Sequence, residues 1–308
     1  MAKAERFPKP ESTVATAKIN LTLRILGRRD DGFHELESLV AFAPFGDRLT
    51  LWLDRPLDLK VSGPMAAGAG PLADNLAMRA ARALAERIEG LRLGRFALVK
   101  QLPSGAGLGG GSADAAAALR LIAKVNRLAL EDPRIHEAAR ATGADVPVCL
   151  DPRPRIMRGI GEILSAPLAL PKLGILIVHP GLALPTGSVF KALGLAPGEQ
   201  SAARSPAPSL PPWEAKRDGL LTWLATERND LESAAISIAP QIADVLAAIE
   251  ALAGCRLARM SGSGSSCFGL FDSARTAAAA AKRLAAGHLS WWVRAGLLGG
   301  DATAGRGL

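Results

Sequence analysis

Five of the seven residues from Gly105 to Gly111 are glycine, and this stretch restricts the possible folds more than any other. An alternating strand pattern over 95–103 precedes it, and a helical pattern over 112–126 follows it directly. A flexible linker is the weaker interpretation, because linkers usually separate domains and have polar flanks. The stretch therefore indicates a turn whose backbone N–H groups approach a ligand at the start of a helix.

Two kinds of ligand site suit such a turn. Gly105, Gly107 and Gly110 satisfy the dinucleotide pattern GxGxxG, which also needs a second buried strand that ends in an acidic residue. The helix is followed instead by LALEDPRIHEAARATG, which indicates a loop and another helix. A phosphate site needs only convergent N–H groups, the positive end of a helix and a hydroxyl such as that of Ser112. The residues favour a phosphate site, although the stretch lacks the GK[ST] of a Walker A loop and the chain has no HRD or DFG element of a protein kinase.

The composition is that of a globular chain and restricts its partners coarsely. Of 308 residues, 49% are hydrophobic and 21% charged, which suits one large domain or two ordinary ones. The net charge of +8 favours anionic partners through long-range attraction. The basic residues are scattered and not interleaved with aromatics, so we expect no nucleic-acid partner. The apolar runs are too short to cross a bilayer, so we expect no membrane partner. The N-terminus has no signal-peptide core, and we therefore expect a cytoplasmic location.

Strand and helix patterns are mixed without a regular βαβ repeat, which favours an α+β fold over a doubly wound sheet. Alternating or continuous apolar runs predict strands at 17–26, 47–53, 57–63, 95–103 and 173–179. Helical periodicity predicts helices at 73–90, 112–126, 133–143, 241–254 and 274–286. We expect a connector at 152–159 and a mobile insertion at 196–217, where proline and serine accumulate. The three cysteines are not spaced for a disulfide framework or a structural zinc site.

Several separated segments resemble one family of enzymes. LPSGAGLGGGSADAAAAL is similar to the nucleotide-binding signature of the GHMP kinases. The family order is also kept by AKINLTLRILGRRDDGFHELESLV, TGADVPVCL, HPGLALPTGSVFKA, NDLE and ARMSGSGSSCFGLF. These segments are most similar to members that use ATP to phosphorylate a hydroxyl of a cytidine diphosphate derivative in isoprenoid precursor synthesis. The resemblance implies a two-domain fold, with a nucleotide-binding domain at 1–155, a ferredoxin-like domain at 156–308 and the site in the cleft between them.

The resemblance also implies roles for individual residues. Asp145 matches the catalytic aspartate that accepts the hydroxyl proton, and Lys18 matches the lysine that stabilises developing charge. The ATP contacts that it implies are Asn75 and Lys100 on the adenine side, and Pro103, Gly105, Ala106, Gly107, Leu108, Gly109, Gly110, Gly111 and Ser112 around the phosphates. The substrate contacts that it implies are Asn20, Phe33, His34, Thr186, Phe190, Ser261 and Gly262.

Simpler interpretations exist for some of these residues. Asp145 suits a turn or a helix cap, Lys18 suits a solvated edge strand, and 261–266 suits an ordinary hairpin turn. Phe33 stands where the family usually has tyrosine, so it retains ring stacking on cytosine but loses a hydroxyl contact. Mg²⁺ is expected with ATP because it offsets phosphate charge, but no residue is assigned as its ligand. Two other functions stay open: another GHMP small-molecule kinase, of the homoserine or mevalonate type, and a catalytically silent nucleotide-binding member. The oligomeric state is left undetermined.

Overall fold

The structure, a computed structural model, describes residues 9–53, 55–201 and 216–299. By internal contact the chain forms two compact units, each of them discontinuous in sequence. Unit 1 holds the described residues of Met1–Ala17, Phe45–Ser104 and Gly110–Asp151. Unit 2 holds those of Lys18–Pro44, Gly105–Gly109 and Pro152–Leu308. The domain limits 1–155 and 156–308 stay a prediction.

The described residues form short strands and helices in mixed order. The strands are β1 (Glu11–Asn20), β2 (Arg24–Arg28), β3 (His34–Trp52), β4 (Asp58–Ser62), β5 (Arg95–Val99), β6 (Arg155–Gly159), β7 (Ile163–Leu164), β8 (Leu173–His179), β9 (Cys255–Met260), β10 (Cys267–Phe271) and β11 (Trp292–Leu298). The α-helices are α1 (Leu76–Ala85), α2 (Gly110–Asn126), α3 (Pro133–Thr142), α4 (Val146–Leu150), α5 (Thr186–Ala192), α6 (Arg217–Thr226), α7 (Glu232–Ile238), α8 (Gln241–Glu250) and α9 (Ala274–Gly287).

Unit 1 combines a small group of strands with a group of helices. The second half of β3 pairs antiparallel with β5, which in turn pairs parallel with β4. Helix α2 packs against α1, α3 and α4. Its alanines from Ala115 to Ala118 are completely buried, because their small side chains allow neighbouring helices to approach closely.

Unit 2 contains a four-stranded antiparallel sheet with the strand order β11-β8-β10-β9. Strand β8 is buried along its whole length, as its continuous apolar run predicts, and it lies between β10 and β11. Helix α8 packs on β9 and β10, and α9 packs on β8, β10 and β11. This order of strands and helices is the predicted ferredoxin-like arrangement. A second ladder of unit 2 joins β2 and β6 to the first half of β3, and β7 to β6.

Two sequence predictions are wrong in this part of the fold. The single strand predicted over 17–26 is interrupted, because β1 ends at Asn20 and β2 begins at Arg24. Its polar face is buried rather than solvated, since Lys18 is 4% exposed. The connector predicted over 152–159 contains β6, in which Ile156 lies opposite Leu39 of β3. Pairing with a strand so distant in sequence leaves no local signal.

The predicted insertion and the end of the chain are described in part. Residues 202–215 of the predicted mobile segment 196–217 lie outside the described residues. The residues just before them bond to β2, since Arg28 N donates to Glu199 O at 2.8 Å and Ser201 N to Leu26 O at 3.0 Å. Among the described residues, no helix combines the length and the apolar character that a membrane crossing requires.

Candidate active site

The glycine-rich stretch is a turn that connects the end of β5 to α2. Gly105, Gly107 and Gly109 have φ angles of 63°, 71° and 61°, the left-handed region that glycine adopts without steric cost. The helix begins at Gly110, two residues before the predicted start. The first N–H groups of α2 therefore belong to two glycines and Ser112. A helix end of this kind attracts anions.

A second turn, residues 261–266 between β9 and β10, lies directly against the glycine-rich turn in unit 2. Ser261 Oγ donates to Gly107 O at 3.1 Å, and Ser266 N donates to Ala106 O at 3.1 Å. A Cβ atom at Gly107 would lie 2.3 Å from Ser261 O and 2.8 Å from Gly264 O. This backbone contact between two turns, distant in sequence, therefore requires glycine at position 107.

Lys18 and Asn20 lie beside both turns. Lys18 N donates to Leu108 O at 2.9 Å, and a Cβ atom at Gly109 would lie 3.3 Å from Lys18 Cβ. Asn20 N donates to Ser261 Oγ at 3.2 Å, and Asn20 Nδ2 donates to Ser38 Oγ at 2.8 Å. Asn20 Oδ1 is buried and finds no hydrogen-bond partner among the described residues. The structure thus brings Lys18, Asn20 and both turns together, and it leaves an acceptor oxygen among them.

The residues predicted to contact cytosine also lie in unit 2. The His34 and Phe190 rings are tilted by 42° with their centroids 4.8 Å apart. Burial and the nearby Arg28 guanidinium lower the pKa of His34, which favours the neutral ring, and its Nε2 atom has no partner among the described residues. The Phe33 side chain is 57% exposed. Thr186 begins α5, and its hydroxyl lies 2.9 Å from that of Ser263 in the second turn.

Two buried residues that the sequence predictions missed hold the second turn in place. Asn229, in the NDLE segment, donates from Nδ2 to Met260 O at 2.9 Å and to Gly262 O at 2.8 Å. His179, at the end of β8, has its Nδ1 atom 3.2 Å from Ser265 Oγ. Burial lowers the pKa of His179 to about 4, so its ring is neutral. Asn229 bonds to main-chain carbonyls, and a pattern of side chains does not reveal such contacts. The only sequence signal for Asn229 is its place in the family segment NDLE.

The remaining predicted residues belong to unit 1. Asn75 caps α1, with Oδ1 accepting from Ala77 N at 3.0 Å. Lys100 is buried, and its ammonium group donates to Asp47 and Asp114. Asp145 occupies the N-cap position of α4, but its side chain makes no capping hydrogen bond. A helix-capping role therefore does not account for the Asp145 carboxylate.

Comparison with known proteins gives the chain its family. Residues 75–151 match the model of the GHMP kinases N terminal domain, and residues 218–288 match that of the GHMP kinases C terminal region. The chain is 57% identical over 285 residues to a 4-diphosphocytidyl-2-C-methyl-D-erythritol kinase of Xanthobacter autotrophicus, covering 92% of this chain and 97% of that protein. The chain belongs to this family of GHMP kinases.

Two further relatives agree with this assignment. A protein of the same name from Methylobacterium radiotolerans is 58% identical, covering 91% of this chain and 96% of its own. A crystal structure of 4-(cytidine 5'-diphospho)-2C-methyl-D-erythritol kinase matches with a TM-score of 0.72 and 35% identity, covering 94% of this chain and all of that one. The predicted α+β fold of the GHMP type is confirmed. This GHMP kinase is a phosphotransferase that acts on a hydroxyl group, with ATP as co-substrate.

Proposed function

We propose that this GHMP kinase transfers the γ-phosphoryl group of ATP to the 2-hydroxyl of 4-diphosphocytidyl-2-C-methyl-D-erythritol, a step of isoprenoid precursor synthesis. The observation that carries the proposal is the arrangement of Lys18 and Asn20 against the paired turns 105–109 and 261–266. The names of the relatives, which are 57% and 58% identical to the chain, support this substrate.

The glycine-rich turn and the start of α2 bind the ATP phosphates in this proposal. The N–H groups of Gly110, Gly111 and Ser112 at the start of α2 donate to phosphate oxygens, and the helix dipole adds attraction. Asn75 and Lys100 contact the adenine side. Within the described ranges, no cluster of three or more His, Cys, Asp or Glu side chains is arranged to hold a metal ion. In this proposal Mg²⁺ enters as part of the MgATP substrate and would be held mainly by phosphate oxygens and water.

The transfer is direct and forms no phosphoenzyme. The substrate hydroxyl oxygen bonds to the γ-phosphorus, the bond from that phosphorus to the β,γ-bridging oxygen breaks, and ADP leaves. The Asp145 carboxylate accepts the hydroxyl proton, and the Lys18 ammonium stabilises negative charge on the phosphoryl oxygens. The unpartnered Asn20 Oδ1 accepts a hydrogen bond from a substrate hydroxyl.

The cytosine base is recognised by the aromatic residues of unit 2. The exposed face of Phe33 stacks on the ring, and Phe190 lies against its other face. The unpartnered Nε2 of His34 hydrogen-bonds a polar edge of the base. Homoserine and mevalonate contain no base to stack, so these residues favour the cytidine substrate over the substrates of other GHMP kinases.

The test is ADP release coupled to NADH oxidation, with purified protein and one acceptor at a time. We expect turnover with 4-diphosphocytidyl-2-C-methyl-D-erythritol and none above background with homoserine or mevalonate. Turnover with one of the latter alone would replace the proposed substrate. Binding of ATP without turnover of any acceptor would identify a catalytically silent member instead.

The proposal also covers location and partners. We propose a cytoplasmic protein whose partners are small molecules rather than nucleic acid or membrane. Its basic residues are scattered, which argues against a nucleic-acid surface. Retention on duplex DNA that falls steeply with added salt would contradict the exclusion of nucleic acid.

A further inference from the structure

Three charged side chains form a buried cluster in unit 1. Asp47 of β3, Lys100 just after β5 and Asp114 of α2 are 0%, 4% and 2% exposed. The Lys100 ammonium donates to Asp47 Oδ2 and, at 2.7 Å, to Asp114 Oδ2. Buried charges are costly unless they are paired, so each of the three side chains depends on the others to stabilise its charge. Only Lys100 is given a role by the sequence.

Asp47 also binds the backbone that enters the glycine-rich turn. Its Oδ1 atom accepts from Gln101 N at 2.5 Å and from Leu102 N at 2.8 Å. The next residue, Pro103, has no N–H group. Asp47 therefore binds the last two main-chain donors before that proline, and with Oδ2 it binds the Lys100 side chain.

Asp114 lies on the other side of the same turn. Helix α2 begins at Gly110, so Asp114 lies one helical turn after the glycines end. A Cβ atom at Gly110 would lie 3.7 Å from Lys100 Nζ, which places the ammonium close to the start of the helix. Hydrogen bonds within the cluster thus connect the backbone before Pro103 to helix α2 after Gly111. The residues between these two points form a loop whose two ends are fixed.

We propose that the Asp47–Lys100–Asp114 cluster positions the glycine-rich turn for the nucleotide, and that Asp47 is a positioning residue acting through Lys100 and the backbone of 101–102. A loop whose ends are held samples fewer conformations, so less entropy is lost when its N–H groups converge on phosphate. The inference rests on the proposed function only in that the turn binds ATP.

The protonation of the cluster is compatible with this role. Burial, with a contribution from the Asp47 charge, raises the pKa of Asp114 to about 7, against the opposing effect of Lys100. Burial lowers the pKa of Lys100, but the carboxylates of Asp114 and Asp47 outweigh it and raise that pKa overall. The raised pKa of Asp114 lowers the negative charge close to the start of α2, where phosphate would bind.

The test compares Asp47→Asn and Asp47→Ala with Asp58→Asn, a control at an exposed position of β4. Asparagine keeps an oxygen that can accept from 101–102 but loses the charge that pairs with Lys100, whereas alanine loses both. We expect the KM for ATP to rise about tenfold in Asp47→Asn, the effect of losing roughly 1.4 kcal/mol of binding, and further in Asp47→Ala. The KM for the phosphoryl acceptor should stay within about twofold.

Two further measurements separate positioning from mere stabilisation. Hydrogen exchange should accelerate at the amides of 101–102 and 104–111 in the Asp47 variants at a temperature where each remains folded. Calorimetry with a non-hydrolysable ATP analogue should show the same weakening as the KM, without any acceptor present. A folded Asp47→Asn protein with wild-type exchange and wild-type analogue affinity would overturn the proposal.

The outcomes remain informative if the alanine variant does not fold. Asp47→Asn alone then tests whether Asp47 positions the turn. Asp114→Asn tests the same cluster from the helix side, and we expect it to raise the KM for ATP. Absence of analogue binding by the wild-type protein would overturn the proposed function itself. Normal wild-type binding with unaffected Asp47 variants would overturn only the role of the cluster.

Discussion

Replacing Gly107 by alanine tests whether the contact between the two turns of unit 2 is required for catalysis. The left-handed backbone at Gly107, with φ at 71°, disfavours alanine on its own account. The added Cβ atom would also lie 2.3 Å from Ser261 O and 2.8 Å from Gly264 O. Both neighbours are main-chain atoms, so relief requires that a whole turn move.

The expected loss in the free energy of unfolding has two parts, and a matched control variant separates them. Alanine in a left-handed conformation costs about 1 to 2 kcal/mol. Overpacking against fixed neighbours adds about 1 to 3 kcal/mol, so Gly107→Ala should lower the free energy of unfolding by about 2 to 5 kcal/mol. Gly90 has φ at 75° and nothing within 4 Å of an added Cβ. Gly90→Ala should therefore show the conformational cost alone.

Activity should distinguish the two variants more sharply than stability does. Moving Ser261 away from Gly107 displaces groups beside Lys18 and Asn20 by about 1 Å, and a misplacement of that size costs on the order of 10²-fold in rate. We expect kcat/KM for the acceptor to fall about 10²-fold in Gly107→Ala and to stay within about twofold in Gly90→Ala. Thermal unfolding and the ADP-release assay measure both effects. Equal stability losses together with equal kcat/KM values would refute the reasoning.

Three other predictions follow from the site. Asp145→Asn should leave ATP-analogue binding within about twofold and lower kcat by about 10²-fold or more, the scale of a lost general base, and an unchanged kcat would remove Asp145 from the mechanism. Phe33→Ala should raise the KM for the cytidine substrate about tenfold, since stacking on a base contributes about 1 to 3 kcal/mol, without changing the KM for ATP; equal changes in both constants would contradict stacking. Burial lowers the pKa of His179 from 6.5 to about 4, so its contribution to stability is present above pH 6.5 and is lost as the pH falls toward 4. Calorimetry should therefore show the Tm of the wild type falling more steeply over that range than that of His179→Gln, and parallel curves would contradict this.

The elements that the sequence predicted correctly are those whose signal is local. The continuous apolar run at 173–179 and the helical periodicity at 133–143 and 274–286 correspond to β8, α3 and α9. Each buries a face whose spacing can be read within a few turns or residues of chain, so periodicity suffices. The family of the chain could also be predicted, because its signature segments are contiguous in sequence.

The interruption after β1 shows what a local pattern misses. Apolar and polar residues alternate through 17–26 as in one strand, yet the chain leaves the strand after Asn20. The carbonyl of Leu21 accepts from Arg259 Nη1 at 2.7 Å, and the same guanidinium donates to Leu224 O at 2.8 Å. Arg259 is 238 residues away in sequence, so no window around Leu21 contains the group that binds its carbonyl.

The sequence by itself determined the family, the fold class and the residue types of the candidate site: a glycine-rich turn at a helix start, Lys18, Asp145 and the aromatic residues predicted to contact cytosine. Only the tertiary structure decided which groups are paired and which are left for a ligand. It placed Ser261 on Gly107, surrounded Lys100 with two carboxylates, and left Asn20 Oδ1 without a partner among the described residues. The physical reason is that these contacts join side chains to main-chain atoms or to buried charges far away in sequence. Their existence depends on the path of the backbone and not on any spacing along it.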